Sequence, residues 1–254
     1  QQLVFGIKTL HSFTQRESPE LLENSHKQPI VAVGYSPLNN TILSAAGPSV
    51  RVWSALVGVL TGVFEDVAGE GEIISSMLMD PRGVTFALGT ESGRVRLHNA
   101  TSGHCLRELS SHRSVVPALA WFGRAVVSGG WDGRVLLHSL RETPGLQPDK
   151  HTEIGRASGH SGRVTCLAAS DNLGLIVTGG TDSTVRVYNA STSQLEKRLL
   201  HNGMITAVSI LPEMGLIVST DISGTLFIWA IKSGGARYQL AAAFRHRPIE
   251  WLDR

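Results

Sequence analysis

One frame of about fifteen residues occurs five times in this chain of 254. A chain that repeats itself at a fixed period must stack like units on one another, and few architectures allow that. Leu175–Asn189 (LIVTGGTDSTVRVYN) and Ala125–Ser139 (AVVSGGWDGRVLLHS) share an apolar triplet, Ser or Thr, two Gly, any residue, Asp, a turn and an alternating run ending in a ring. The frame returns as Ile42–Ser54, Thr85–Asn99 and Leu216–Ala230. Its apolar anchors Val50, Val95, Val135, Val185 and Leu226 are spaced by 45, 40, 50 and 41 residues.

Upstream of most frames stands a His followed by a short apolar alternation: His26 before Ile30, His112 before Val116, His160 before Val164 and His201 before Ile205. Alternation of period two predicts strands, and turn signals such as Asp80-Pro81-Arg82-Gly83 separate them. A further alternating stretch such as 194–200 completes each unit. Only 17% of residues are charged and 27 are Gly, which suits many short strands and tight turns. Four short strands per 40–45 residues describe the blade of an all-β propeller of four-stranded antiparallel sheets.

At these residues the chain resembles the WD-repeat family. The fourth unit matches that pattern as His160, Thr178, Asp182 and Tyr188, and the third as His112, Ser128, Asp132 and His138. The first and fifth units keep a terminal Trp, Trp53 and Trp229, but Gly47 and Ser223 stand where the turn Asp belongs. The second has no His, with Ser92 and His98 at the Asp and Trp positions. The resemblance implies a buried network of His, Ser or Thr, Asp and ring in units three and four, with structural rather than catalytic roles. The other units are expected to rely on apolar packing.

The units run over roughly 26–65, 70–110, 111–158, 159–200 and 201–244, with partial ones at both ends. Residues 3–10 alternate, 238–244 supply an outer strand, and 246–249 open a further unit. Five blades plus fragments suggest a piece of a longer chain, with closure into a ring of seven. The connection 141–150, with two Pro, is expected to be an exposed excursion.

Net charge is +2 and the basic residues do not cluster, so no nucleic-acid footprint is present. No run reaches the ~18 apolar residues of a membrane span. Cys105 and Cys166 cannot make a disulfide framework and point to a reducing, cytoplasmic setting. Six of the ten His fall at repeat positions, and His11, His104, His151 and His246 show no metal-ligand spacing, so no metal is expected. No phosphate loop or nucleophile motif occurs, and no cofactor is implied.

These readings favour a non-catalytic protein-interaction scaffold in a larger assembly. Its degenerate repeats resemble tandem-propeller WD proteins of the ciliary or flagellar axoneme, which implies tubulin or axonemal partners. The alternative is a trafficking or ubiquitin-ligase-type substrate-recognition propeller. An enzyme using the central channel is disfavoured, because the inner strands read Val-Ala-Val, Ala-Leu-Ala and Cys-Leu-Ala. The expected partner contact is Trp131, held in a turn by flanking glycines, with Arg113 and Arg163 on the same face.

Overall fold

A computed structural model describes residues 25–109, 111–140, 151–232 and 238–245. They contain twenty strands in five four-stranded antiparallel sheets, each paired in chain order as a meander. Blade 1 comprises β1 (Ala32–Ser36), β2 (Thr41–Ala46), β3 (Ser49–Ser54) and β4 (Leu60–Phe64). Blade 2 comprises β5 (Ile74–Met79), β6 (Thr85–Thr90), β7 (Val95–Asn99) and β8 (Cys105–Leu109). Blade 3 comprises β9 (Ala118–Phe122), β10 (Ala125–Gly129), β11 (Val135–Ser139) and β12 (His151–Ile154). Blade 4 comprises β13 (Val164–Ser170), β14 (Leu175–Gly180), β15 (Thr184–Asn189) and β16 (Leu195–Leu200). Blade 5 comprises β17 (Ile205–Leu211), β18 (Leu216–Asp221), β19 (Thr225–Ile231) and β20 (Tyr238–Arg245), with one 3-10 turn, Pro212–Met214, between its first two strands.

The second strand of each inner blade is buried almost throughout, and apart from its Ser, Thr and Gly positions it is apolar because both its faces are covered. Successive side chains point to opposite faces of a sheet, so one strand feeds two cores. On β10, Val126 enters the core shared with blade 2, and Val127 the core shared with blade 4. On β14, Ile176 packs toward blade 3 while Leu175 and Val177 pack toward blade 5. Four such cores join the five blades in series. Exposed large apolar side chains are frequent in the first and last blades, including Val33, Tyr35, Ile222 and Phe244.

The turn between the second and third strands demands a left-handed residue. Gly93, Gly133 and Gly224 supply it with φ of 101°, 78° and 75°. Blade 4 places Ser183 there, at φ 58°. Just before the terminal ring, the pairing of third and fourth strands slips by one residue in blades 1, 2, 4 and 5.

The fold class matches the propeller-blade reading, and 238–244 form the outer strand of blade 5. The alternation at 3–10, the start of a further unit at 246–249 and the 141–150 connection lie outside the described residues.

Candidate functional site

The His–Asp turns build one face of the blades. In blade 3, His112 Nδ1 lies 2.9 Å from Asp132 Oδ1 and its Nε2 lies 2.8 Å from Ser128 Oγ. Ser128 Oγ is in turn 2.7 Å from His138 Nε2. A single assignment of protons satisfies the chain: His112 Nδ1–H donates to Asp132, Ser128 donates to His112 Nε2, and His138 Nε2–H donates to Ser128. His138 thereby does what an indole does elsewhere. Trp53 Nε1–H donates to Ser44 Oγ at 2.8 Å, and Trp229 Nε1–H to Ser219 Oγ at 2.9 Å.

Asp132 also accepts the backbone N–H groups of Arg113 and Arg134. Burial alone would raise its carboxyl, but the His112 and backbone hydrogen bonds outweigh that and bring it down to about 2. Burial drives His138 the other way for a base, down to about 3, aided by the neighbouring His112 and His151.

Blade 4 repeats the arrangement and extends it. His160 contacts Asp182 Oδ1 at 2.9 Å and Thr178 Oγ1 at 2.8 Å. Thr184 Oγ1 donates to Asp182 Oδ1 at 2.7 Å, and Arg186 Nη2 to Oδ2 at 3.1 Å. Arg186 is buried and also donates through Nη1 to the Ser158 carbonyl, which the Tyr188 hydroxyl shares at 3.3 Å. Despite burial, these donors hold the Asp182 carboxyl well below the usual carboxylate range.

Two expectations need correction. Blade 5 does not rely on apolar packing alone, because Asp221, two positions before Ser223, reaches His201 Nδ1 at 3.3 Å. His201 Nε2 lies 2.8 Å from Ser219 Oγ, and Ser223 Oγ donates to Asp221. Blade 1 likewise keeps His26, Ser44 and Trp53 joined around the Ser hydroxyl without any acid. Asp221 is the only acidic residue in its frame, a signal present in the sequence but displaced from the expected slot. Blade 2 does lose the network. Leu88 replaces the Ser, so His98 Nε2 is buried without a partner and the ring stacks on Phe86 at 5.2 Å.

Asp132, His112 and Ser128 superficially form a nucleophilic triad. Ser128 is wholly buried within β10 and hydrogen-bonded on both sides by imidazoles, so no substrate reaches its hydroxyl. At the inner strands, a cavity of about 260 Å³ is lined by groups such as Ser75, Ser76, Ala118 and Cys166. Ser75 and Ser76 both spend their hydroxyls on the Val116 carbonyl, and burial pushes the Cys166 thiol up to about 11. Neither is poised as a nucleophile. Among the described residues, no three His, Cys, Asp or Glu side chains gather as a metal site. Nor is any described helix long and apolar enough to cross a membrane.

This face offers to solvent Ile222, 66% exposed in blade 5, and, at the matching position of blade 3, Trp131. It is 39% exposed, with the Arg163 guanidinium 4.5 Å from its ring centroid. Arg163 is anchored to blade 4 by its backbone N–H on Thr181 Oγ1, so the stack bridges blades 3 and 4. Trp131 is fixed by its own N–H on the Val115 carbonyl. Arg113 shares the face, with its backbone held by Asp132 and its side chain exposed.

Residues 152–189 match the family model described as WD domain, G-beta repeat, and residues 47–124 match the anaphase-promoting complex subunit 4 WD40 domain. Meiotic fizzy-related protein 1 of Schizosaccharomyces pombe is 27% identical over 183 residues, 71% of this chain and 41% of that protein. Anaphase-promoting complex subunit cdc20 of Dictyostelium discoideum is 27% identical over 157 residues, 62% of this chain and 30% of that protein. The chain thus spans well under half the length of these relatives. A chain of the mitotic checkpoint complex crystal structure superposes with a TM-score of 0.71 at 22% identity, over 84% of this chain and 64% of that one. These relatives carry cell-cycle names, and the axonemal expectation finds no support in them. The chain folds as five propeller blades, and its residues 47–124 and 152–189 are similar to WD40 repeats.

Proposed function

We propose that this chain is the recognition propeller of a ubiquitin-ligase-type assembly, binding a protein partner rather than catalysing a reaction. The observation that carries this reading is the Trp131–Arg163 stack, an exposed aromatic with a cation over it. Trp and Arg are enriched among residues that dominate binding energy. A tryptophan held by backbone bonds on both flanks loses little further freedom on binding. The kinship with a cdc20 subunit of the anaphase-promoting complex supports the ubiquitin-ligase setting over the axonemal one. Fold alone would support neither. The exposed apolar side chains of blades 1 and 5 fit a longer ring in which further blades lie against them.

The test is affinity purification of tagged protein from dividing cells, with quantitative mass spectrometry of what accompanies it. The expected result is enrichment of ubiquitin-ligase subunits or their substrates, reduced at least tenfold by Trp131→Ala. Enrichment of tubulin and axonemal proteins instead, or a set unchanged by the substitution, overturns the reading.

A further inference from the structure

The face opposite Trp131 carries a second feature. In each meander, the hairpin joining the first two strands emerges at the end away from the His–Asp turns. Between blades 2 and 3 these ends border a cleft of about 530 Å³, lined among others by Asp80, Arg82, Leu97, Trp121, Arg124 and Leu140. Leu97, Trp121 and Leu140 belong to the apolar core between the two blades and give the cleft an apolar floor. Arg124 is exposed, and the Arg82 side chain is 80% exposed. The Asp80 carboxylate is already engaged by the Arg82 backbone N–H at 2.7 Å, by Thr85 and by Arg82 Nε at 3.7 Å, which leaves the Arg82 Nη groups and the whole Arg124 guanidinium for a ligand.

Trp121 is the anomaly. Trp53 and Trp229 each donate their indole N–H to a serine, but Trp121 Nε1 is buried with no hydrogen-bond partner among the described residues. An unsatisfied buried donor is costly, and each one asks for an explanation.

The geometry points to this cleft as the docking site for a short extended segment of a partner protein that combines acidic and apolar side chains. Apolar side chains cover Leu97, Leu140 and the Trp121 ring. Carboxylates meet the Arg82 and Arg124 guanidinium groups, a pairing favoured by charge and fork geometry. An acceptor on the segment, reached by a small movement of the indole, satisfies Trp121 Nε1. A nucleic acid fits poorly, because two arginines neutralise few phosphates and Asp80 stands in the wall. Because the cleft and Trp131 lie on opposite faces, both can be occupied at once, and neither assignment depends on the other.

Three fluorescein-labelled decapeptides test this by fluorescence anisotropy: alternating Asp and Leu, alternating Lys and Leu, and alternating Asp and Ser. The Asp–Leu peptide is expected to bind at least tenfold more tightly than either control. Arg82→Glu with Arg124→Glu is expected to abolish that preference at an unchanged melting temperature, and Trp131→Ala to leave it intact. Equal binding of the three peptides, or full retention by the double variant, overturns the assignment. Binding that emerges only after deletion of Thr143–Pro148 would give the cleft to this chain's own residues and overturn it too.

Discussion

Asp221 reaches His201 from two residues earlier in the chain than Asp182 reaches His160. The glycines explain how both routes work. A Cβ at Gly130 or Gly180 would run into the ring nitrogen of His112 or His160, so those positions stay empty and leave space for the His–Asp pair. In blade 5 the residue at that position is Asp221 itself, and its carboxylate fills the space. Ser223, in the ordinary Asp slot, then donates to it.

Asp221→Ala should therefore cost about 1–3 kcal/mol, the range for an unsatisfied buried partner, and Ser223→Ala markedly less. Urea midpoints of the two variants check this. A larger loss at Ser223 would return the role to the ordinary slot.

Asp182→Ala should cost more than Asp132→Ala. Removing Asp182 strips the buried Arg186 of its ion partner, a loss of about 3–5 kcal/mol for a broken buried pair. The equivalent of Arg186 in blade 3 is Leu136, so Asp132→Ala leaves no orphan cation and should cost about 1–3 kcal/mol. Equal losses in denaturant titrations would contradict the ranking.

Acid should destabilise the blades in two stages. Burial lowers His138, His160 and His201, so the unfolded chain takes up protons near pH 6.5 that the folded chain refuses. Stability then falls as pH drops below about 6.5, for His138 down to about 3, by about 1.4 kcal/mol per pH unit for each proton refused. The carboxyls of Asp132, Asp182 and Asp221 are lowered, and the stability they add above the ordinary 3.8 is lost as pH falls through their folded values. His138→Gln keeps a donor toward Ser128 but does not titrate. Its stability should vary less between pH 6.5 and 4; an unchanged slope would count against His138 as a contributor.

Ser183 occupies, at φ 58°, the turn position that glycine holds in blades 2, 3 and 5. The left-handed region costs a non-glycine residue about 1–2 kcal/mol, partly offset by the extra freedom glycine has when unfolded. Ser183→Gly should raise stability by about 0.5–1 kcal/mol, readable as a higher melting temperature. A lower one would show that the side chain stabilises the turn.

The blades were legible because period-two strands, turn glycines and the His offsets recur in phase, and each repeat of a frame restates the last. Asp221 was hidden because a carboxylate on a turn has more than one route to the same imidazole, and a fixed slot in an alignment does not see that. Arg186 was missed because a charged residue on a strand reads as solvent-facing until its partners, Asp182 and the Ser158 carbonyl, come from separate loops. The Trp121 cleft has no local signature, since its walls come from two blades and join only on folding.

The central claim is that Trp131 serves recognition and not stability. The most direct measurement takes one preparation of Trp131→Ala and records both its melting temperature and its affinity for the captured partner. The ring is partly exposed, and an exposed cation–π contact is worth about 0.5–1 kcal/mol, so the melting temperature should move little. Partner affinity should fall by about 2 kcal/mol or more, roughly thirtyfold. A variant that melts early yet binds its partner as tightly as before would show that Trp131 only packs within the propeller, and would contradict the account.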